Sequence, residues 1–238
     1  IDGTGGGDGN GGHNYGTIIE SGSVIGAGGN IIITGRGGAG NGSDYGIILY
    51  GSSSVLNTGN ITLNAFAGGG TPYAFWSTSG TNSLGGNAMT GNLTLIGDGI
   101  NFNNLSISTA GNIVLKPYTT SASIGIHGGS GTLSDVDGGF LSFIDTSTVS
   151  PASVIIGNST NGSGAVTIGT GWDISSYNFP ISVYGGSITT GSITGGSHNL
   201  LLEALSGNIT LNSGALLTST STGTGLTLVA SNNFINNS

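Results

Sequence analysis

The sequence predicts an all-β fold, a parallel β-helix (solenoid) of about ten coils with three short strands in each coil. Three observations lead to this prediction. A pentapeptide, Gly-Asn-Ile-Thr-Leu at residues 59–63, recurs along the chain; short apolar strand-like segments repeat about every thirty residues; and no segment of helical length shows a 3.6-residue period. The helix content should therefore be near zero.

The pentapeptide has two parts. Gly-Asn is a turn that tolerates positive φ, and the three residues after it alternate apolar, polar and apolar as in a strand. A unit this small cannot bury its own apolar face, so it becomes stable only when copies stack. Close copies begin at Gly29, Gly91, Gly111 and Gly207, and looser copies begin at Gly164 and Gly225.

The spacing of the copies defines the coils. Residues 16–20 are repeated at 46–50, residues 23–25 at 54–56, and residues 29–33 at 59–63, with a more diverged third copy that runs from 74 to 93. After residue 95 the period shortens, because Gly111 follows Gly91 by twenty positions. We therefore expect residues 1–238 to be a single β-helix segment of a longer chain, with longer Gly-rich coils over 1–95 and shorter coils over 96–238.

Strand alternation predicts which side chains face the core. Ile32, Thr62 and Thr94 should face outward, and the apolar residues on either side of each should face inward. The inward set is Ile31, Ile33, Ile61, Leu63, Leu93 and Leu95. Residues 140–143, Phe-Leu-Ser-Phe, have the same strand-like pattern.

The composition of the chain excludes some classes of function. Two cationic residues stand against ten acidic ones, for a formal charge of −8, so a basic nucleic-acid-binding surface is excluded and attraction to anionic lipid is not expected. The chain has no Cys and no apolar run long enough to span a membrane as a helix. A polar, mildly acidic surface suits an extracellular protein.

Few residues suggest chemistry. Asp135 and Asp137 have a spacing found in calcium loops, but no further ligands follow, and a capped turn is the alternative. Tyr73, Phe75 and Trp76 form the densest aromatic cluster and are a possible ligand-contact loop, with core packing as the alternative. We predict no catalytic residue, no cofactor and no metal site beyond that calcium candidate.

Enzymatic activity is not expected. Enzymes of this fold that cleave acidic polysaccharides combine carboxylates with cations, whereas Arg36 and Lys116 are eighty residues apart here and no acidic pair recurs at coil spacing. A carbohydrate-active β-helix, either a glycan-binding module or a polysaccharide-degrading enzyme, remains the alternative function.

Several segments resemble a block of large bacterial exoproteins of the filamentous-haemagglutinin type. They are Gly-Asn-Ile-Val-Leu-Lys-Pro-Tyr at 111–118, Ile-Gly-Ile at 124–126, Leu-Ser-Asp-Val-Asp at 133–137, Ile-Ile-Gly at 155–157 and Gly-Ala-Val-Thr-Ile at 164–168. The resemblance implies a right-handed parallel β-helix, two-partner secretion through an outer-membrane partner, and a place at the bacterial cell surface. It further implies a non-catalytic adhesin shaft whose partners are its own neighbouring coils and a glycan or protein receptor on a host or neighbouring cell.

Overall fold

Parallel strands form almost all of the regular structure in a computed structural model that describes residues 1–7, 12–71, 73–134, 138–223 and 225–237. Strand accounts for 43% of the chain and helix for 2%, which confirms the all-β prediction. The strands lie in stacked parallel sheets, so the fold is a parallel β-helix. The chain divides into two compact units, residues 1–118 with 142–151 and residues 119–141 with 152–238.

The first unit has three parallel sheets, and successive strands visit them in turn. Sheet 1A contains β1, β4, β7, β10 and β13, sheet 1B contains β2, β5, β8 and β11, and sheet 1C contains β3, β6, β9 and β12. The strands are β1 (Asp2–Thr4), β2 (Thr17–Glu20), β3 (Ser23–Ile25), β4 (Ile31–Arg36), β5 (Ile47–Tyr50), β6 (Ser54–Leu56), β7 (Ile61–Phe66), β8 (Phe75–Thr78), β9 (Asn82–Gly85), β10 (Leu93–Ile96), β11 (Ile100–Phe102), β12 (Leu105–Ser108) and β13 (Asn112–Lys116).

The second unit repeats the arrangement with sheets 2A (β15, β18, β21, β24), 2B (β14, β16, β19, β22, β25) and 2C (β17, β20, β23). Its strands are β14 (Ile124–Ile126), β15 (Ser153–Ile156), β16 (Ala165–Ile168), β17 (Trp172–Asp173), β18 (Ile181–Gly185), β19 (Ser187–Thr190), β20 (Ile193–Thr194), β21 (Leu200–Ala204), β22 (Ile209–Leu211), β23 (Leu217–Thr218), β24 (Leu226–Ala230) and β25 (Phe234–Asn236).

The register in sheet 1A follows the predicted periods. Ile31 pairs with Ile61, Ile61 with Leu93, and Leu93 with Ile113, so the coil length falls from about thirty residues to twenty where the sequence indicates it. Three strands per coil are confirmed in this unit. In the second unit, however, the copy at 207–211 lies in sheet 2B and the copy at 225–228 in sheet 2A, so the pentapeptide does not mark one sheet throughout.

Alternation places the apolar residues as predicted. Ile33, Ile61, Leu63, Leu93 and Leu95 are buried, Ile31 is half-buried at its end of the stack, and Ile32 faces out with 53% of its surface exposed. Equivalent side chains lie one above another in the core because each strand stacks in register on the next.

The Gly-Asn pairs do not form positive-φ turns, which corrects the prediction made from their sequence. Neither residue of the pairs at 59–60, 91–92 and 111–112 is among the described residues with left-handed φ. Glycine is required there because the preceding coil is too close. A Cβ on Gly91 would lie 2.3 Å from the carbonyl carbon of Gly59, and one on Gly111 would lie 2.3 Å from the oxygen of Gly91.

A series of non-glycine residues with left-handed φ lies at another corner, between sheets 1B and 1C. Ser21, Ser52, Ser79 and Asn104 occupy this corner in four successive coils with φ between 46° and 65°. The same bend is thus repeated down the first unit by residues that are not glycine.

Residues 140–143 do not form the predicted strand. They fall within and just after a single helical turn, α1 (Gly138–Ser142). Phe140 and Leu141 are adjacent and both are buried. A strand would send neighbouring side chains to opposite faces, whereas a helical turn can bury both.

Candidate ligand-binding groove

The outer face of sheet 1B has an apolar column that crosses three coils. β2, β5 and β8 pair in register, which aligns Ile18 with Ile48 and Ile48 with Trp76. A second outward column aligns Glu20 with Tyr50. The side chains between these positions, such as Ile47 and Phe75, point into the core.

These columns form an open groove of about 360 Å³ that crosses three successive coils. Ile48 is only 2% exposed and forms the floor, while Ile18 and Tyr50 are exposed at the rim. The groove is lined by Tyr15, Ile18, Glu20, Ile48, Tyr50 and Trp76. Glu20 is the single charged residue of this lining.

Aromatic rings stack along one side of the groove. His13 lies 5.7 Å from Tyr15, Tyr15 lies 5.9 Å from Tyr45, and Tyr45 lies 4.6 Å from Trp76, measured between ring centroids. The first two pairs are nearly parallel and the third is tilted by 46°. Tyr15 therefore stacks with two rings and also lines the groove.

The predicted ligand-contact loop divides between core and surface. Phe75 is 1% exposed, and its ring centroid lies 5.8 Å from that of Phe102 inside the coil. Tyr73 and Trp76 are half-buried at the surface. Of the three residues, only Trp76 is among the residues that line the groove.

Four residues of the groove and ring stack were not singled out from the sequence as candidates for ligand contact: Tyr15, Tyr45, Glu20 and Tyr50. The thirty-residue period could have found them, since Tyr45 follows Tyr15 and Tyr50 follows Glu20 by thirty positions each.

A buried carboxylate fixes the segment that carries the ring stack. Asp44 is fully buried, and its Oδ1 accepts hydrogen bonds from the backbone N–H of Asn14 at 2.9 Å and from Asn14 Nδ2 at 3.1 Å. Its Oδ2 has no hydrogen-bond partner in the described structure. Burial raises the pKa of Tyr15, and the nearby Tyr45 and Asp44 raise that pKa further.

A second surface cluster lies at the ends of β4 and β7. The Arg36 guanidinium lies 3.8 Å from the centroid of the Phe66 ring, and Tyr118 meets that ring edge-on at 4.5 Å. Phe66, Tyr118 and Asp98 border a cleft of about 260 Å³. Arg36 is thus held against an aromatic ring, and no salt bridge between it and a described carboxylate is seen.

No cluster of acidic residues or histidines that could hold a metal ion occurs in the part of the chain that the structure describes. Asp135 and Asp137 lie outside the described residues. Asp145 and Asp173 each begin a turn. Hydrogen bonds from the side chain and backbone of Ser147 lower the pKa of Asp145, and those from Ser175 lower the pKa of Asp173.

No helix among the described residues is both long and apolar enough to span a membrane. Comparison with family models, with curated proteins and with solved structures gave no match to this chain, so the groove and the fold around it are the basis for its functional interpretation.

Proposed function

We propose that this chain is a structural and adhesive shaft segment of a secreted or surface-anchored bacterial fibre, without catalytic activity. The observation that supports the proposal most is the uninterrupted pairing of parallel strands from coil to coil in sheet 1A, from β1 to β13. Each coil satisfies its backbone groups through the next coil and buries an apolar column, so the repeat itself supplies rigidity.

The surface chemistry agrees with this role. The grooves on the first unit are open rather than enclosed, and the largest one described has a single charged residue. A hydrolase would need an acid and a base placed on either side of a bond. Glu20 has no carboxylate partner in that groove.

Adhesion and turnover can be measured with the same protein. The chain lacks Cys, so one Cys added after residue 238 couples it to fluorescent beads in one orientation. Coated beads should be retained on bacterial and animal cells under flow more strongly than albumin-coated beads. Incubation of the free protein with a panel of polysaccharides should release no reducing ends.

A carbohydrate-active β-helix is the second candidate, because the groove combines a tryptophan with a carboxylate. Polysaccharide turnover that is abolished by Glu20→Gln or Asp98→Asn would replace the shaft proposal with an enzyme. Bead retention no greater than that of albumin would remove adhesion from the proposal.

A further inference from the structure

We propose that the groove on sheet 1B binds a neutral oligosaccharide across three coils, with Trp76 as the platform and Glu20 and the Tyr50 hydroxyl as hydrogen-bonding groups. The inference rests on the proposed adhesive function and assigns the ligand class and the residues to it.

The first argument is apolar exposure. Ile18 and Tyr50 keep 45% and 42% of their surfaces exposed within one groove, next to a half-buried Trp76. On sheet 1A, by contrast, two of the three outward residues of β7, Thr62 and Asn64, are polar, and the third is Phe66. A contiguous exposed apolar strip on the face of a sheet is characteristic of a binding site.

The second argument is the shape and chemistry of the strip. Trp76 contacts one ring, Tyr45, among the described residues, and part of its indole remains accessible. The C–H face of a pyranose is apolar and carries slightly positive hydrogens, which suits the negative face of an indole. The Glu20 carboxylate can accept hydrogen bonds from two neighbouring sugar hydroxyls, and the Tyr50 hydroxyl can donate or accept.

Charge selects among glycans. The groove contains one carboxylate and no cation, and the whole chain has a formal charge of −8. Sulfated and uronic-acid polymers would be repelled, and phosphate groups would find no cationic partner. A neutral sugar is not repelled by the carboxylate and needs no cationic partner.

The dimensions favour a short chain over a protein segment. Three stacked coils give two spacings, or about 10 Å along the groove, which accommodates two linked sugars. A peptide could not extend sheet 1B within the groove, because the groove lies on the face of the sheet and the strands β2, β5 and β8 already pair there.

The groove is also fixed before a ligand arrives. The two hydrogen bonds from Asn14 to Asp44 join the segment bearing Tyr15 to the next coil, and the stack then continues through Tyr45 to Trp76. Side chains that are already ordered lose little entropy on binding.

A printed array of neutral β-linked oligosaccharides, with heparin as the polyanionic contrast, tests the proposal. The full chain should bind neutral members and not heparin. For an array-positive sugar, Trp76→Ala and Glu20→Gln should each weaken the affinity measured by calorimetry by about tenfold or more. The control Tyr118→Ala removes an exposed ring of the same unit outside the groove and should change the affinity less than about twofold.

Fluorescence locates the bound sugar. The chain has two tryptophans, and Trp172 is buried in the second unit. Sugar should shift the emission of the intact protein, and the shift should disappear in Trp76→Phe while circular dichroism stays unchanged.

The proposal is overturned if no neutral sugar binds, if heparin binds instead, or if Trp76→Ala binds as well as the intact protein. Should coated beads still adhere to cells in any of these cases, only the ligand assignment falls. If the beads also fail to adhere, the adhesive function falls with it.

Discussion

At the scale of single residues, certain glycines lie so close to the neighbouring turn that there is no room for a side chain larger than a hydrogen atom. Gly91 shows this, since the turn containing Gly59 lies directly against its Cα. The sequence showed that glycine recurs here but suggested a positive φ as the reason. The true reason, the approach of another coil, depends on a neighbour some thirty residues away and is not visible in the local pattern.

Gly91→Ala should lower the free energy of unfolding by about 1–3 kcal/mol, because the new methyl group would overlap backbone atoms of the preceding coil. The control is Gly29→Ala at the equivalent position, where a Cβ meets nothing within 4 Å. Its urea midpoint should match that of the parent chain. Equal midpoints for both variants would show that close approach does not explain the glycine.

At the scale of elements, asparagine side chains link the turns that lead into sheet 1A. Asn60 Nδ2 donates to Asn30 Oδ1 at 3.0 Å, Asn60 Oδ1 accepts from the Asn92 backbone N–H at 2.8 Å, and Asn92 Oδ1 accepts from the Asn112 backbone N–H at 2.9 Å. This ladder explains why asparagine follows glycine in the copies that begin at Gly29, Gly59 and Gly91.

Asn92→Ala should cost about 1 kcal/mol of stability, because the Asn112 backbone N–H loses its acceptor. Asn92→Asp keeps an acceptor oxygen and should recover most of the loss. Asn30→Ala removes an acceptor for a side-chain amide, which can turn to water, whereas the Asn112 backbone N–H is fixed by the strand; its urea midpoint should therefore move less than that of Asn92→Ala. The ladder has no energetic role if the alanine and aspartate variants at residue 92 unfold at the same urea concentration.

The elements also show where sequence reasoning succeeds. Strand alternation and the coil periods are encoded within a few neighbouring residues, so β4, β7, β10 and β13 were predictable. The turn α1 was not, since residues 140–143 carry an equally good strand pattern. Only part of the groove lining was predictable. Trp76 stood out as one of few aromatic residues, whereas Glu20 and Tyr50 are brought next to it by strand pairing between coils.

At the scale of the whole molecule, a stack of coils that each contact their neighbours should tolerate removal of one complete coil. Ile61 and Leu93 are register partners, so deletion of residues 61–92 joins Asn60 to Leu93 and preserves the order of sheets 1A, 1B and 1C. The shortened protein should keep a β circular dichroism spectrum and a cooperative melt.

The matched deletion removes residues 61–82 instead. It joins Asn60 to Ser83 and so places a strand of sheet 1C where sheet 1A requires one. This variant should lose the cooperative melt. If the two deletions behave alike, in-register stacking is not what holds the first unit together.

The asparagine ladder has a practical consequence for making this protein. Asn60 and Asn92 each precede an apolar residue and a threonine, and so they match the acceptor sequence for N-linked glycosylation. Secretion from a eukaryotic host would expose these acceptor sequences to glycosylation, on the same side chains that join one turn to the next. Material for structural and binding work should therefore be produced in bacteria, where these amides stay unmodified.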